Sequence, residues 1–569
     1  MSTSIHRFTS AHRQAGGLRR VAFVLRAVAR RQQVSSRPLN IALIGWAQGS
    51  IALPLLDAGY HVALIENDIS IRRDAEQVAE ECGLEGFSTT AEFSLERNEA
   101  VFDICIIDLS RRDLIQTALA VVRPHLEAHG RILVSGACSE GIAGWASFQS
   151  MLFSAGWRMR DAASTVALPS SLLRRPSKSG IVARTIETLM VHLLPFRRAA
   201  AWMGEAVPCD PERAYALHLM PSLGVGGAEK LVLDLTTGLR PKGFETGVIS
   251  IISGGDLAPA FQERGIEARS LHRRDPFGVS TVIDLVRIFR LERPAIVHTH
   301  LFGADAWGRL AAFIARVPVV ISTEHNINPS YSWIKRLVNR IFAKWTSAIV
   351  AVSDAVKGVS ATRDRIPEAK LRVIPNAIDL SRVVSRGGHM FRDIPRLFIA
   401  ARLYPQKDHA TLLKALALIK RPWLLRIAGD GPLKHDLVRL AERLDISSRI
   451  EWLGVRHDVP QLLADSDVFC FPSRWEGLGN AVLEAAAAGV PVICSDLPPL
   501  HEVFQDNDVT FVESGNVPAW AHAIQDILDD PSDAIIRATR LVPRVHAGAS
   551  LDRMVDAYAA LYHDCLSHL

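Results

Sequence analysis

The stretch Arg474–Asp496 leaves this chain few ways to fold. Glu476 stands in a loop with Gly477 and Gly479 on either side of Leu478, and the Ala-rich run after Asn480 has high helix propensity. Gly489 is placed to end that run, and Pro491 prevents its continuation. Val490–Cys494 is then a short apolar run of the kind that forms a buried parallel strand. Loop, helix, turn and strand in this order make one unit of a parallel α/β sheet. Glu484 follows Glu476 by eight residues, roughly 12 Å of helical rise, so the two carboxylates cannot pair on one small group. They can touch two ends of an elongated ligand lying across the helix N-terminus, where free N–H groups and the helix dipole favour a phosphate.

Units of this kind recur along the chain. Asn40–Ile44, His61–Ile65, Phe102–Ile107 and Arg131–Ser135 read as parallel strands of a first unit, 38–170, the last of them after a helix ending near Gly130. A Gly turn from Gly45 to Gly49 follows the first strand and Glu66 closes the second, an arrangement suited to a dinucleotide or adenosine ligand. Residues 171–213 hold Ser, Pro and Arg and read as a linker, with an amphipathic segment from Ile181 to Trp202.

Ala216–Met220 opens a second unit, and the loop Pro221–Lys230 carries Gly226 and Gly227, whose backbone can approach a phosphate closely. Pro294–His300 is a strand that puts His298 and His300 on one face. A metal there would want a third ligand, and no acid has suitable spacing. His325 and Asn326 close the next strand; Ser353, Asp354, Asn376 and Asp379 are weaker candidates at later strand ends. Leu397–Arg402 opens a third unit, with Arg402 and Lys407 five residues apart across a Pro-containing turn. Gly431 lies in the Gly turn after the strand Leu424–Ala428, and no Asp-x-Asp pair stands at a strand end.

In this order, the Gly226-Gly227-Ala-Glu loop, Arg402 with Lys407-Asp408, Gly429-Asp-Gly431-Pro and the Glu476…Glu484 pair resemble the retaining GT-B glycosyltransferases of family 4. Ala401 stands where that family has Gly. The resemblance implies two Rossmann-like α/β domains facing a cleft: an acceptor domain at 214–392, a nucleotide-sugar donor domain at 393–550, and a C-terminal helix, 551–569, that crosses back to the first. It implies transfer of a sugar from a nucleotide diphosphate sugar to a hydroxyl of a glycan or lipid-linked acceptor, in cell-surface polysaccharide or glycolipid synthesis. His300, Glu476, Arg402 and Lys407 would be catalytic. Gly226, Gly227, Arg402, Lys407, Gly431, Glu476, Gly477, Leu478, Asn480 and Glu484 would bind the donor, and His325 and Asn326 would lie on the acceptor side. Fixed cations suit a departing diphosphate whose negative charge grows, so no metal and no cofactor is expected for glycosyl transfer.

The first unit resembles class I S-adenosylmethionine-dependent methyltransferases, which would put S-adenosylmethionine against Gly45, Gly49 and Glu66. Trp46 and Gln48 depart from that family's G-x-G-x-G loop, so a non-catalytic Rossmann-like scaffold stays open. The alternatives for the whole chain are a bifunctional glycosyltransferase and methyltransferase, a non-catalytic nucleotide-sugar-binding module, and a nucleotide-sugar epimerase.

The 569 residues suffice for three or four domains. A net charge of +5 does not argue for a nucleic-acid partner. The seven cysteines are scattered without a C-x-x-C, as buried thiols in a reducing compartment would be. No uninterrupted apolar run of about 18 residues predicts a transmembrane helix. Residues 1–37 hold no Asp or Glu and alternate Arg with apolar residues. They read as a basic amphipathic helix on an anionic membrane, a disordered extension or a targeting segment. The expected location is cytoplasmic, with peripheral contact at the inner face of the membrane.

Overall fold

A computed structural model of the chain describes residues 212–224, 226–273, 278–327, 329, 332–387 and 390–568. Before residue 212 it describes 40–44, 55, 60–65, 69–81, 87–90, 102–108, 126–137, 152, 157–166 and 199–208. The chain divides into two compact units, Met1–Arg213 with Arg290–Arg293, and Ala214–Phe289 with Pro294–Leu569.

The first unit holds a seven-stranded sheet in the order Phe87–Thr90, His61–Ile65, Asn40–Ile44, Phe102–Asp108, Leu126–Ala137, Ala199–Pro208, Trp157–Val166. The first five strands are parallel, and Ala199–Pro208 runs antiparallel to both neighbours. Ile41, Ala42, Leu43, Val62, Leu64 and Ile106 are buried on it. Two expectations are corrected here. The stretch read as a linker contains Ala199–Pro208, a strand in the interior of the sheet; its Ala-rich sequence gave no alternating pattern to find it by. The helix expected to end near Gly130 cannot reach that far, because Leu126–Ala137 is one strand, with a register shift between its pairings to Phe102 and Ile104. The extension 1–37, the segment 181–198, and Gly45, Gly49 and Glu66 lie outside the described residues.

The second unit holds two fully parallel sheets. One runs Glu267–Ser270, Phe244–Ser253, Ala214–Ser222, Ile296–His300, Val319–Glu324, Ala348–Ala351, Leu371–Val373. The other runs Ile450–Gly454, Leu424–Ala428, Arg396–Ala400, Val468–Phe471, Val492–Ser495, Thr510–Val512. Each sheet starts in its middle and winds out both ways, so each has a point where strand order reverses. In the first sheet that point lies between Ala214–Ser222 and Ile296–His300; in the second, between Arg396–Ala400 and Val468–Phe471. Loops leaving adjacent strands part there and open a crevice at the carboxyl ends.

Near-continuous apolar strands are buried on both faces, as parallel strands must be. In the second lobe, Phe398, Phe469, Val482 and Ala486 pack on one side of the sheet and Leu397, Leu413, Trp423 and Trp520 on the other. In the first lobe, the last helix of the chain, Leu551–Ser567, buries Met554, Val555, Tyr558 and Tyr562 among Ala216, Leu235, Phe244 and Ile296. The chain thus crosses between lobes twice, near Ile378 and near Ser550, and the two crossings are joined by a bridge between those residues. The Glu502 carboxylate of the second lobe accepts from the backbone N–H groups of Asp354 (2.7 Å) and Ala355 (2.6 Å) at a helix start in the first.

Candidate functional site

The carboxyl ends of both sheets border one cleft of about 400 Å³. From the first lobe it is lined by Gly226, Gly227, Lys230, Leu301, His325, Asn326 and Asn376. From the second come Ala401, Arg402, Tyr404, Gln406, Lys407, Gly429, Asp430, Gly431, Val455, Arg456, Val459, Glu476, Gly477, Leu478, Gly479, Asn480 and Glu484. Every donor-side and acceptor-side residue named from the sequence is therefore in one place. Strand order explains it: the loops after Arg396–Ala400 and Val468–Phe471 leave the second sheet where its winding reverses.

Lys407 Nζ donates to Glu476 Oε1 at 2.5 Å and lies 4.8 Å from the Phe471 ring centroid. The pair is largely removed from solvent, with side-chain exposures of 17 % and 7 %. Arg402 lies over the Tyr404 ring and is close enough to Glu229 to lower that acid's pKa. Burial has the larger effect on Glu229 and pushes its carboxyl upward. Burial likewise raises Glu484, while Lys230 and Arg382 pull it down. Lys230, which lines the cleft, was not named from the sequence, although it directly follows the Gly226-Gly227-Ala-Glu loop.

The helix Asn480–Ala487 begins after Gly479, which has a left-handed backbone (φ 86°), and no side chain caps its first turn. Asn480 and Ala481 of that uncapped first turn line the cleft together with Arg402 and Lys407. Gly477 is fixed by close approach: a Cβ there would stand 2.0 Å from the backbone oxygen of His325 in the other lobe. Asn376 Nδ2 donates to Asn480 Oδ1 across the cleft at 2.9 Å. Asn326 Oδ1 and Asn376 Oδ1 are buried without a hydrogen-bond partner among the described residues. Both residues line the cleft. Two Asp-x-Asp pairs occur, Asp465 with Asp467 and Asp506 with Asp508, and they precede the strands Val468–Phe471 and Thr510–Val512, at the end of the sheet away from the cleft. Asp465 is held by Arg392, Arg396 and Arg426, and Asp467 by Arg386 and Arg392.

His300 does not stand where the sequence reading put it. It is completely buried and does not line the cleft; His325 does. His300 instead joins His218 and His298, and the third imidazole that spacing did not supply comes from the neighbouring strand, where His218 lies in register with His298. Burial holds His218 down to about 3 and His325 to about 4, and His298 and His300 also lie well below the ordinary imidazole range. All four rings are therefore neutral near pH 7.

The family model for glycosyl transferases group 1 matches residues 391–542, and that for glycosyltransferase family 4 matches residues 225–382. The GDP-mannose-dependent alpha-(1-6)-phosphatidylinositol monomannoside mannosyltransferase of Mycobacterium tuberculosis is 31 % identical over 281 residues, covering 44 % of this chain and 71 % of that protein. The UDP-Gal:alpha-D-GlcNAc-diphosphoundecaprenol alpha-1,3-galactosyltransferase of Escherichia coli is 27 % identical over 310 residues, covering 50 % and 79 %. The structure of Anabaena HepE with UDP and glucose superposes with a TM-score of 0.56 at 20 % identity, over 63 % of this chain and all of that one.

Proposed function

The chain belongs to the glycosyltransferase family that these two models describe, and from that premise we propose a metal-independent transfer, with retention of configuration, from a nucleotide diphosphate sugar to a hydroxyl of a glycan or lipid-linked acceptor. It is a glycosyltransferase of the GT-B fold. The observation that carries the proposed mechanism is the convergence of Arg402, Lys407, Glu476, Glu484 and the Gly226-Gly227 loop on one cleft.

The diphosphate sits against Arg402, Lys407 and the start of the helix Asn480–Ala487. Gly226 and Gly227 approach it from the first lobe, Glu484 faces the ribose, and Val455, Arg456 and Val459 flank the base. Without ligand, Lys407 is neutralised by Glu476. With ligand, its charge is shared with the diphosphate as negative charge develops on the departing oxygen. The bond from the anomeric carbon to that oxygen breaks, the acceptor oxygen bonds on the same face, and its proton passes to the departing phosphate oxygen. The fixed cations take the role a metal would have, and the arginine partners of Asp465 and Asp467 keep those carboxylates from serving one.

A membrane-bound acceptor is supported by an unusual helix. Trp333–Ala343 turns Asn339 and Ala343 inward and leaves Trp333, Ile334, Leu337 and Ile341 exposed. Phe313 and Trp345, stacked at 4.1 Å, extend this apolar face. The helix has no acid, and Arg340 and Lys344 are exposed beside the apolar residues. Apolar side chains rimmed by cations fit an anionic lipid surface. No helix among the described residues is long and apolar enough to span a membrane. A second reading adds S-adenosylmethionine at the first unit, whose sheet has its own reversal point between Asn40–Ile44 and Phe102–Asp108.

Three measurements test these readings. Lys407→Met and Glu476→Gln are expected to lower kcat/KM for sugar transfer by about a hundredfold or more, with the circular dichroism spectrum kept. Near-normal turnover contradicts the site. The full chain is expected to sediment with phosphatidylglycerol-containing vesicles and not with phosphatidylcholine alone, and Trp333→Ser with Leu337→Ser to release it. Vesicle binding that these changes leave intact removes the helix from the account, and self-association abolished by them identifies a protein partner instead. Titration with S-adenosylmethionine releases heat if the first unit holds it; no heat ends that reading.

A further inference from the structure

Seven polar groups run in single file from the cleft into the first lobe. His325 Nε2 lies 3.1 Å from His300 Nδ1, and His300 Nε2 lies 3.0 Å from His218 Nδ1. His218 Nε2 lies 3.4 Å from the Tyr562 hydroxyl, which lies 2.6 Å from His298 Nδ1. His298 Nε2 lies 2.7 Å from Thr323 Oγ1, and that oxygen lies 3.3 Å from the Tyr558 hydroxyl. Apart from His325 at the cleft, every member is buried.

A neutral imidazole has one donor and one acceptor nitrogen, and a hydroxyl has one proton. An imidazole therefore passes the direction of one link on to the next; a hydroxyl can accept from both sides, but its own proton is then left without an acceptor in the row. If the protons point away from the cleft, the last one, on Tyr558, has no acceptor, because that hydroxyl meets only Thr323 Oγ1 among the described residues. If they point toward the cleft, Tyr558 donates to Thr323, Thr323 to His298 Nε2, and His298 Nδ1 to Tyr562. Tyr562 then donates to His218 Nε2, His218 Nδ1 to His300 Nε2, and His300 Nδ1 to His325 Nε2. Every link is made and every buried donor has an acceptor; only hydroxyl lone pairs go unused. A buried orphan donor is the costlier defect.

We infer that the chain is oriented toward the cleft and holds His325 as its Nδ1–H tautomer, a fixed hydrogen-bond donor to a sugar hydroxyl. Tyr562, His298 and His218 are then positioning residues, through which the crossing helix Leu551–Ser567 sets the chemistry of a cleft residue it does not touch. Sugar as the ligand rests on the glycosyltransfer reading; the tautomer does not. Asn326, the next residue, also lines the cleft. Burial keeps His218 and His325 neutral at pH 7, so no added proton breaks the sequence of links. With Nε2 already accepting, His325 has no lone pair left to take the acceptor's proton. A metal on His218, His298 and His300 would need nitrogens that the chain already uses; both nitrogens of His298 meet hydroxyls.

The test is the ¹⁵N spectrum of the full chain labelled on histidine, with His325→Asn to assign its ring. An Nδ1–H pattern for His325 is expected; an Nε2–H pattern, or stoichiometric bound metal, overturns the inference. Tyr562→Phe removes the donor that commits His218. It is expected to lower kcat about tenfold, the kinetic weight of one neutral hydrogen bond, and to move the His325 signals toward a mixture of tautomers. A variant with a lower melting point but unchanged kcat and unchanged His325 signals shows packing alone and overturns the positioning role. The wild-type spectrum decides the tautomer even if this variant does not fold.

Discussion

A parallel strand ends at one edge of its sheet only, and every polar group that follows it is delivered there. In the second unit of this chain, two such edges meet across a gap narrow enough that Gly477 has no room for a Cβ beside His325. The rest of the site depends on that proximity. Lys407, Glu476 and Glu484 are far apart in sequence from Gly226 and Lys230, yet the reversal of strand order in both sheets puts their loops on one cleft. The crossing helix Leu551–Ser567 and the cap that Glu502 provides to Asp354 and Ala355 tie the lobes in this arrangement.

Charge gives the cleft its direction. Two cations, one of them half-screened by a nearly buried carboxylate, sit beside a helix start with no side-chain cap. In water each would be worth little; in a partly closed site of lower dielectric such charges attract an anionic group strongly. The pairing with Glu476 holds the Lys407 charge in a fixed position at the cleft wall, the kind of preorganisation that lowers the cost of meeting a developing negative charge.

Much of this was legible in the sequence because the chemistry lies within a few residues of strand ends. Gly226, Arg402, Lys407, Gly431, Glu476 and Asn480 follow apolar runs whose period and length mark strands. What the sequence lacked was lateral order. Nothing in the spacing says that His218 stands in register with His298, or that His300 would be covered by His325 from the next strand. The strand Ala199–Pro208 was hidden for a different reason. Alanine favours helix, and pairing on both sides overrode that local preference. The outward apolar face of Trp333–Ala343 was also unreadable, since amphipathic spacing gives two faces but not which one turns inward.

The central claim is that one cleft holds a nucleoside diphosphate on Arg402 and Lys407. Calorimetric titration of the full chain with UDP and with GDP measures this directly. The account predicts one saturable site for at least one of them, weakened about tenfold or more by Arg402→Met, as loss of a charge-assisted hydrogen bond requires. Absence of binding by both, or equal affinity in wild type and variant, would contradict it.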